Sequence, residues 1–279
     1  MKLLRVGNKG QEIVAALDSN NKIRDLSSEI KGLNPKTINF KTLQNLEKIS
    51  LKDLKEINPN TRIGAPISDP VDFLAIGLNY KAHAEGTNSK LPKEPILFNK
   101  SCGCIQGPND SIVKPSSAKK MDYEVEVAMV IGKEAKYVSE HQAQDYVFGY
   151  CIVNDISERS WQKERGGQWI KGKSIAGTCG PYLVTKNEIN DINNINLSLD
   201  INGINKQKGN TKRMIFNFNF LISHISQFMT LYPGTIITTG TPAGTAMEMD
   251  EPKFLQDGDK LTLKADYLGE QNHIIINQN

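Results

Sequence analysis

The segment Asp122-Tyr123-Glu124-Val125-Glu126-Val127 sets two carboxylates one residue apart, and Asp155 follows the apolar run Phe148-Gly149-Tyr150-Cys151-Ile152-Val153. In a strand side chains alternate faces, so Glu124 and Glu126 point one way while Val125, Val127, Met129 and Ile131 point the other. The second run also reads as a buried strand, which would deliver Asp155 to the same place. Carboxylates about 4 Å apart repel by roughly 4 kcal/mol per pair at an effective dielectric of about 20, so a converging trio calls for a cation. Oxygen-only ligands suit Mg²⁺ or Mn²⁺, with Ca²⁺ as a structural substitute, and argue against zinc, which recruits His or Cys. A solvated strand face with alternate acids is the bland alternative and requires no convergence.

Other residue types extend this chemistry. His83, in Lys81-Ala82-His83-Ala84-Glu85, lies among small and polar residues and is read either as a general base near the metal or as an ordinary surface histidine. His141, His224 and His273 fall on regular elements and take structural readings. Lys173 follows Gly172 in a polar segment; facing the metal it would stabilise developing negative charge, and otherwise it is a solvent lysine. Gly167 to Ser174 matches the phosphate-loop pattern letter for letter, but its bulky filling and the helical segment before it reject that reading. Arg159 and Gln162 stand four and seven positions after Asp155 and, on a helix capped by Asp155, would share a face able to hold a substrate carboxylate. Thr239-Gly240-Thr241-Pro242 reads as an anion-binding turn or as a plain strand end.

The elements that must position these groups can be sketched from periodicity. Leu3 to Val6, Ile13 to Leu17 and Lys22 to Asp25 form a small meander, followed by a helical stripe through Leu43 to Ile57 and a proline-marked linker. The boundary falls near residue 69, giving a small N-terminal α/β domain over 1–69 and a larger domain over 70–279. In the larger part, Phe73 to Leu78, the acidic strand and the strand before Asp155 come first. A helix over Ile156 to Arg165, closed by Gly166-Gly167, comes next. Asn202-Gly203 marks a type I′ hairpin, Phe216 to Thr230 an amphipathic helix, and Leu261 to Ala265 with His273 to Ile276 a closing hairpin.

Composition limits the partners. With 279 residues, 38% hydrophobic, 23% charged and a net charge of +3, the chain reads as an ordinary globular protein. Its lysines are dispersed among acids, which argues against nucleic acid, and no apolar run approaches the ~20 residues of a membrane span. The N-terminus reads as a strand without a signal-peptide core, so a cytoplasmic location is expected, with Cys102, Cys104, Cys151 and Cys179 reduced.

Taken in order, these motifs resemble the fumarylacetoacetate hydrolase family: Gly77-Leu78-Asn79-Tyr80 through His83, Glu94-Pro95 with Phe98 and Lys100, Gly107-Pro108, Asp122 to Glu126, Val153 to Ser157, Gly172-Lys173-Ser174, Gln227 to Leu231, and Thr239 to Gly244. Glu158-Arg159, Gln162 and Glu164 to Trp169 look most like the branch containing 2,4-diketo-3-deoxy-fuconate hydrolase and proteins labelled ureidoglycolate lyase. The resemblance implies a β-rich α+β fold, a mixed β-sandwich roll, in a homodimer. It maps Mg²⁺ or Mn²⁺ onto Glu124, Glu126 and Asp155. It makes His83 and Glu85 lid residues, gives Lys173 and Gln162 contact with the reacting carbonyl or carboxylate, and lends Tyr80, Arg159 and Thr241 to substrate binding.

The implied reaction is hydrolysis of a carbon–carbon bond in a 2,4-dioxo or related 2-oxo acid, the metal acting as Lewis acid toward the enolate formed on cleavage. A decarboxylase, tautomerase or lyase of the same family, or an inactive metal- or ligand-binding homologue, are the alternatives. Two departures bear on the choice. Relatives often carry a lid glutamate three residues after the lid histidine, where this chain has Gly86; Glu85 lies about 200° around the helix from His83. After Lys173 the segment Ile175 to Pro181 is short and lacks the aspartate often found in relatives.

Overall fold

The computed structural model describes residues 1–166 and 169–278. Among them, twelve strands form one mixed sheet and five a second. The spine of the larger sheet runs Ile23–Asp25, Ile13–Leu17, Lys2–Val6, Ala176–Thr185, Val147–Glu158, Val125–Ile131, Ile236–Thr238, Phe73–Gly77 and Ile96–Lys100. The smaller sheet runs Ile204–Asn210, Asn196–Ile201, Lys260–Ala265, Gly269–Asn277 and Ile112–Lys114. The architecture is the β-rich α+β type that the sequence predicts.

Val125–Ile131 explains why the sheets stack. It is rich in β-branched residues and buried at every position, so both of its faces are covered. One face, Val125, Val127, Met129 and Ile131, packs with Leu197, Leu199, Leu261 and Leu263 of the smaller sheet and with Leu221, Ile222 and Ile225 of the helix Phe218–Phe228. Each such side chain contributes about 1.5–3 kcal/mol through burial. The opposite face, Ala128 and Val130 with Cys151 and Val153, meets Leu3, Val14, Leu26, Leu43 and Leu46. Residues 1–69 therefore share a core with the larger part of the chain, and Lys2–Val6 pairs directly with Ala176–Thr185 through Lys2 with Val184 and Leu3 with Leu183.

The Asn202-Gly203 turn forms with φ of 52° and 77°, joining Asn196–Ile201 to Ile204–Asn210 as its residue types predict. The helix expected from Ile156 does not form. The strand continues to Glu158 because Ile156 pairs with Ala176, Ser157 with Asp122 and Glu158 with Met121; ladder pairing overrides local helical preference. Asp155 is thus a strand residue and caps nothing. The helix is the short Arg159–Lys163, capped by Glu158, whose carboxylate accepts from the Trp161 N–H at 2.7 Å. Gly167 and Gln168, the expected close of that helix and part of the 164–169 motif, lie outside the described residues.

Candidate active site

The trio is assembled by strand register. Val125 faces Asn154 and Glu126 faces Val153, so Glu124 and Asp155 come next in the same ladder, joined by an Asp155 N–H to Glu124 carbonyl bond of 2.9 Å. Glu124 sits just before the strand, its own N–H turned to Asn154 Oδ1 at 3.1 Å. Alternation then places Glu124, Glu126 and Asp155 on one face, all buried, with ligand oxygens within 4.8 Å of one another.

Three cations and one unpaired corner define the electrostatics. Lys173 Nζ lies 2.6 Å from Glu124 Oε2 and 2.9 Å from Asp155 Oδ2. Burial alone would lower its pKa, but Asp155 and Glu124 hold it above the ordinary lysine value. Arg159 reaches Glu124 Oε1 at 2.6 Å and Asp122 Oδ2 at 2.8 Å, and Lys100 pairs with Asp155 Oδ1 while also donating to the Lys173 carbonyl. Burial works to raise Glu124, yet Lys173 and Arg159 bring it below the usual carboxylate range. Glu126 differs: burial, then Asp155 and Glu124, push it well above that range. Its partners are the Thr238 hydroxyl and the Gly240 N–H at 2.7 Å, and among the described residues no cationic side chain forms an ion pair with it. Gly240 adopts φ +94°, and a Cβ there would lie 2.8 Å from the Asn79 Cβ, so this turn needs glycine. A buried, all-oxygen trio with one uncompensated corner fits a hard divalent cation.

His83 sits on the helix Lys81–Gly86 and is buried, its Nδ1 2.6 Å from Glu248 Oε1. Glu248 also accepts from the Thr245 hydroxyl at 2.8 Å and the Gly244 N–H at 3.0 Å. Burial raises this carboxyl, but His83 and these donors bring it net below its ordinary value. An ionised Glu248 makes Nδ1 the donor and leaves Nε2 as the basic nitrogen. Gly86 makes room for the pair: a Cβ there would lie 2.5 Å from Glu248 Oε2.

A cavity of 260 Å³ is lined by His83, Glu124, Glu126, Arg159, Gln162, Lys173 and Thr241, bringing most of the sequence-derived candidates together. Two lie elsewhere. Glu85 is exposed on the other side of its helix, 3.6 Å from Lys81, and does not meet His83. Tyr80 is buried and lines a separate groove beside Lys81 and Pro242, its hydroxyl without a hydrogen-bond partner among the described residues. The expected carboxylate grip of Arg159 is taken up by Asp122, Glu124 and the Gln162 carbonyl at 3.2 Å. The Thr241 hydroxyl donates to the Val125 carbonyl at 2.9 Å and accepts from Gln207 at 2.8 Å. Glu248, Asp122 and Lys100 are the site residues that sequence reasoning left without a role. For Glu248 the readable signal was the Thr245-x-x-Glu248 capping box.

A buried carboxylate trio able to hold a metal ion, two of its members lining a cavity with His83 and Lys173, stands on a mixed β-sandwich. The family model for the fumarylacetoacetate (FAA) hydrolase C-terminal domain matches residues 72–276, and the chain belongs to the fumarylacetoacetate hydrolase family. A relative from Burkholderia ambifaria, named "Putative hydrolase", is 45% identical over 274 residues, 97% of each chain. The solved fumarylacetoacetate hydrolase of psychrophilic Exiguobacterium antarcticum is 29% identical with a TM-score of 0.88, and maleylpyruvate hydrolase from Sphingobium sp. SYK-6, solved with manganese(II) and pyruvate, is 25% identical with a TM-score of 0.84. Each covers 100% of both chains.

Proposed function

We propose that this protein is a divalent-metal-dependent hydrolase that cleaves a carbon–carbon bond in a 2,4-dioxo acid, yielding pyruvate and a second carboxylate. The observation that carries the reading is His83, held by Glu248, on the same cavity as Lys173, Glu124 and Glu126. A pyruvate-bound, manganese-containing relative supports the substrate class and the metal. Held by Glu124, Glu126 and Asp155, Mg²⁺ or Mn²⁺ would supply Lewis acidity at the 2-oxo acid end of the substrate.

The chain's own residues then have definite tasks. His83 Nε2 takes a proton from water as the water oxygen attacks the C4 carbonyl, and Glu248 holds the ring in the required tautomer. The C3–C4 bond breaks, its electron pair passing into the pyruvate enolate, while C4 leaves as a carboxylic acid. Protonated Lys173 stabilises the negative charge that develops there. The proton held by His83 returns to C3 to give pyruvate. The Gln162 amide nitrogen remains available to orient the substrate, its carbonyl being fixed by Arg159.

Incubating the protein with Mn²⁺ or Mg²⁺ and 2,4-dioxopentanoate tests this: pyruvate and acetate should accumulate together, and Glu124→Gln should abolish the metal-dependent turnover without unfolding the chain. No pyruvate from any of a panel of 2,4-dioxo acids would overturn the reading. Assembly as a homodimer belongs to the same proposal, with light scattering as its measurement. Among the described residues no helix is long and apolar enough to cross a membrane.

A further inference from the structure

One cation on the cavity wall has no place in this chemistry. Arg159 and Lys173 are each saturated by carboxylates, whereas Lys163, which also lines the cavity, forms no ion pair or hydrogen bond with any described residue. Lys163 stands one helical turn beyond Arg159 on Arg159–Lys163, roughly 6 Å along the axis. The Arg159 side chain is buried against Glu124 while Lys163 is exposed, so the turn leads from the trio to the mouth of the cavity. Ile76, Leu78, Trp169 and Met247 supply apolar wall, and the Ser89 hydroxyl, 3.0 Å from Thr87 Oγ1, adds a polar group.

We propose that Lys163 reads a second carboxylate at the far end of the substrate, so that the acid taken by this cavity is a 2-oxo dicarboxylic acid. The inference rests on the proposed 2-oxo acid chemistry and narrows it. Partial burial, then the Arg159 charge, hold Lys163 below the ordinary lysine value, and the opposite charge of an arriving carboxylate would offset both effects. A charge-assisted bond at a partly covered mouth also has more effect than a surface ion pair, which solvent screens. A hydroxylated or purely aliphatic tail would leave the ammonium unmatched, which is how the cavity would discriminate among acids sharing one reactive end.

The test is calorimetric titration of the manganese-loaded protein with 2-oxohexanedioate and with 2-oxohexanoate, which differ by the far carboxylate. The diacid should bind about tenfold tighter, the ratio should fall to about one in Lys163→Met, and Lys163→Arg should restore much of it. Equal binding of the two acids by the unaltered protein, a preference that survives in Lys163→Met, or an arginine variant as unselective as the methionine one would overturn the proposal. Cleavage is scored separately. Lys163-dependent selectivity without hydrolysis of any 2,4-dioxo acid would keep this inference and remove the hydrolase reading; hydrolysis without that selectivity would do the reverse.

Discussion

Glu248 reaches His83 across 165 positions of sequence, and the space it occupies exists because residue 86 has no side chain. Two substitutions separate orientation from stability. Glu248→Ala should lower kcat by about tenfold or more, since a general base contributes roughly 10²–10⁴-fold only when oriented, whereas Glu85→Gln, on the exposed face, should leave kcat unchanged. Gly86→Ala is the sharper probe. Alanine favours the helix by about 0.5–1 kcal/mol, yet its Cβ would push the Glu248 carboxylate off His83. The expected outcome is reduced turnover, with the disturbed Glu248 bonds offsetting the gain in helix preference in the melting temperature; full turnover in this variant would mean that the pair is not used. The trio was legible because strand alternation is a local rule. The partner of His83 was not, because no local rule connects a helix near residue 83 to a turn near residue 248.

At the scale of elements, the strand Val147–Glu158 and the short helix after it decide where the cations fall. Glu158 is the pivot: buried at the junction, it accepts from the Lys119 N–H at 3.0 Å, the Lys120 and Trp161 N–H groups, and the Ser160 hydroxyl at 2.7 Å. Burial pushes its pKa up, but these donors bring it net below the usual value. Its folded pKa is therefore lower than its unfolded one, about 4.3, so its stabilisation is fully present above that pH and lost as pH falls through the folded value. Glu158→Gln should cost about 1–3 kcal/mol at neutral pH, the usual effect of mismatching buried donors. Urea melts of the two proteins should differ by a constant amount down to about pH 4.3 and converge below it. A gap that persists unchanged to lower pH would place the effect in packing and not in charge. The chain's local pattern put a helix from Ile156 onward because Arg159 to Arg165 is helical in composition. Hidden from that pattern are the ladder partners of residues 156–158 at Ala176, Asp122 and Met121, supplied by distant sequence.

At the scale of the whole molecule, the division near residue 69 meets a continuous sheet. The meander Lys2–Val6, Ile13–Leu17 and Ile23–Asp25 extends the main sheet beyond Ala176–Thr185, and its apolar residues, with Leu33, Ile38, Leu43 and Leu46, cover the side that carries Ala128, Val130, Phe148, Cys151 and Val153. Proline-rich sequence at residues 66–70 signals a linker, and composition cannot tell a linker between independent domains from a crossing within one core. Energetics can. Each large side chain returned to water costs about 1.5–3 kcal/mol, so stripping even a handful exceeds the roughly 5–15 kcal/mol by which a domain is ordinarily stable. Removal of residues 1–69 would also leave the Leu183–Val184 end of Ala176–Thr185 as an unprotected edge. A 70–279 fragment should therefore aggregate or lack a cooperative melt, and adding the separately expressed 1–69 segment during refolding should recover soluble protein. Because the trio lies on the same face as Ala128, Val130 and Val153, that recovery should bring back manganese binding in step with solubility. A soluble fragment that melts cooperatively and binds manganese alone would show that residues 70–279 fold independently and that the shared core is dispensable to the metal platform.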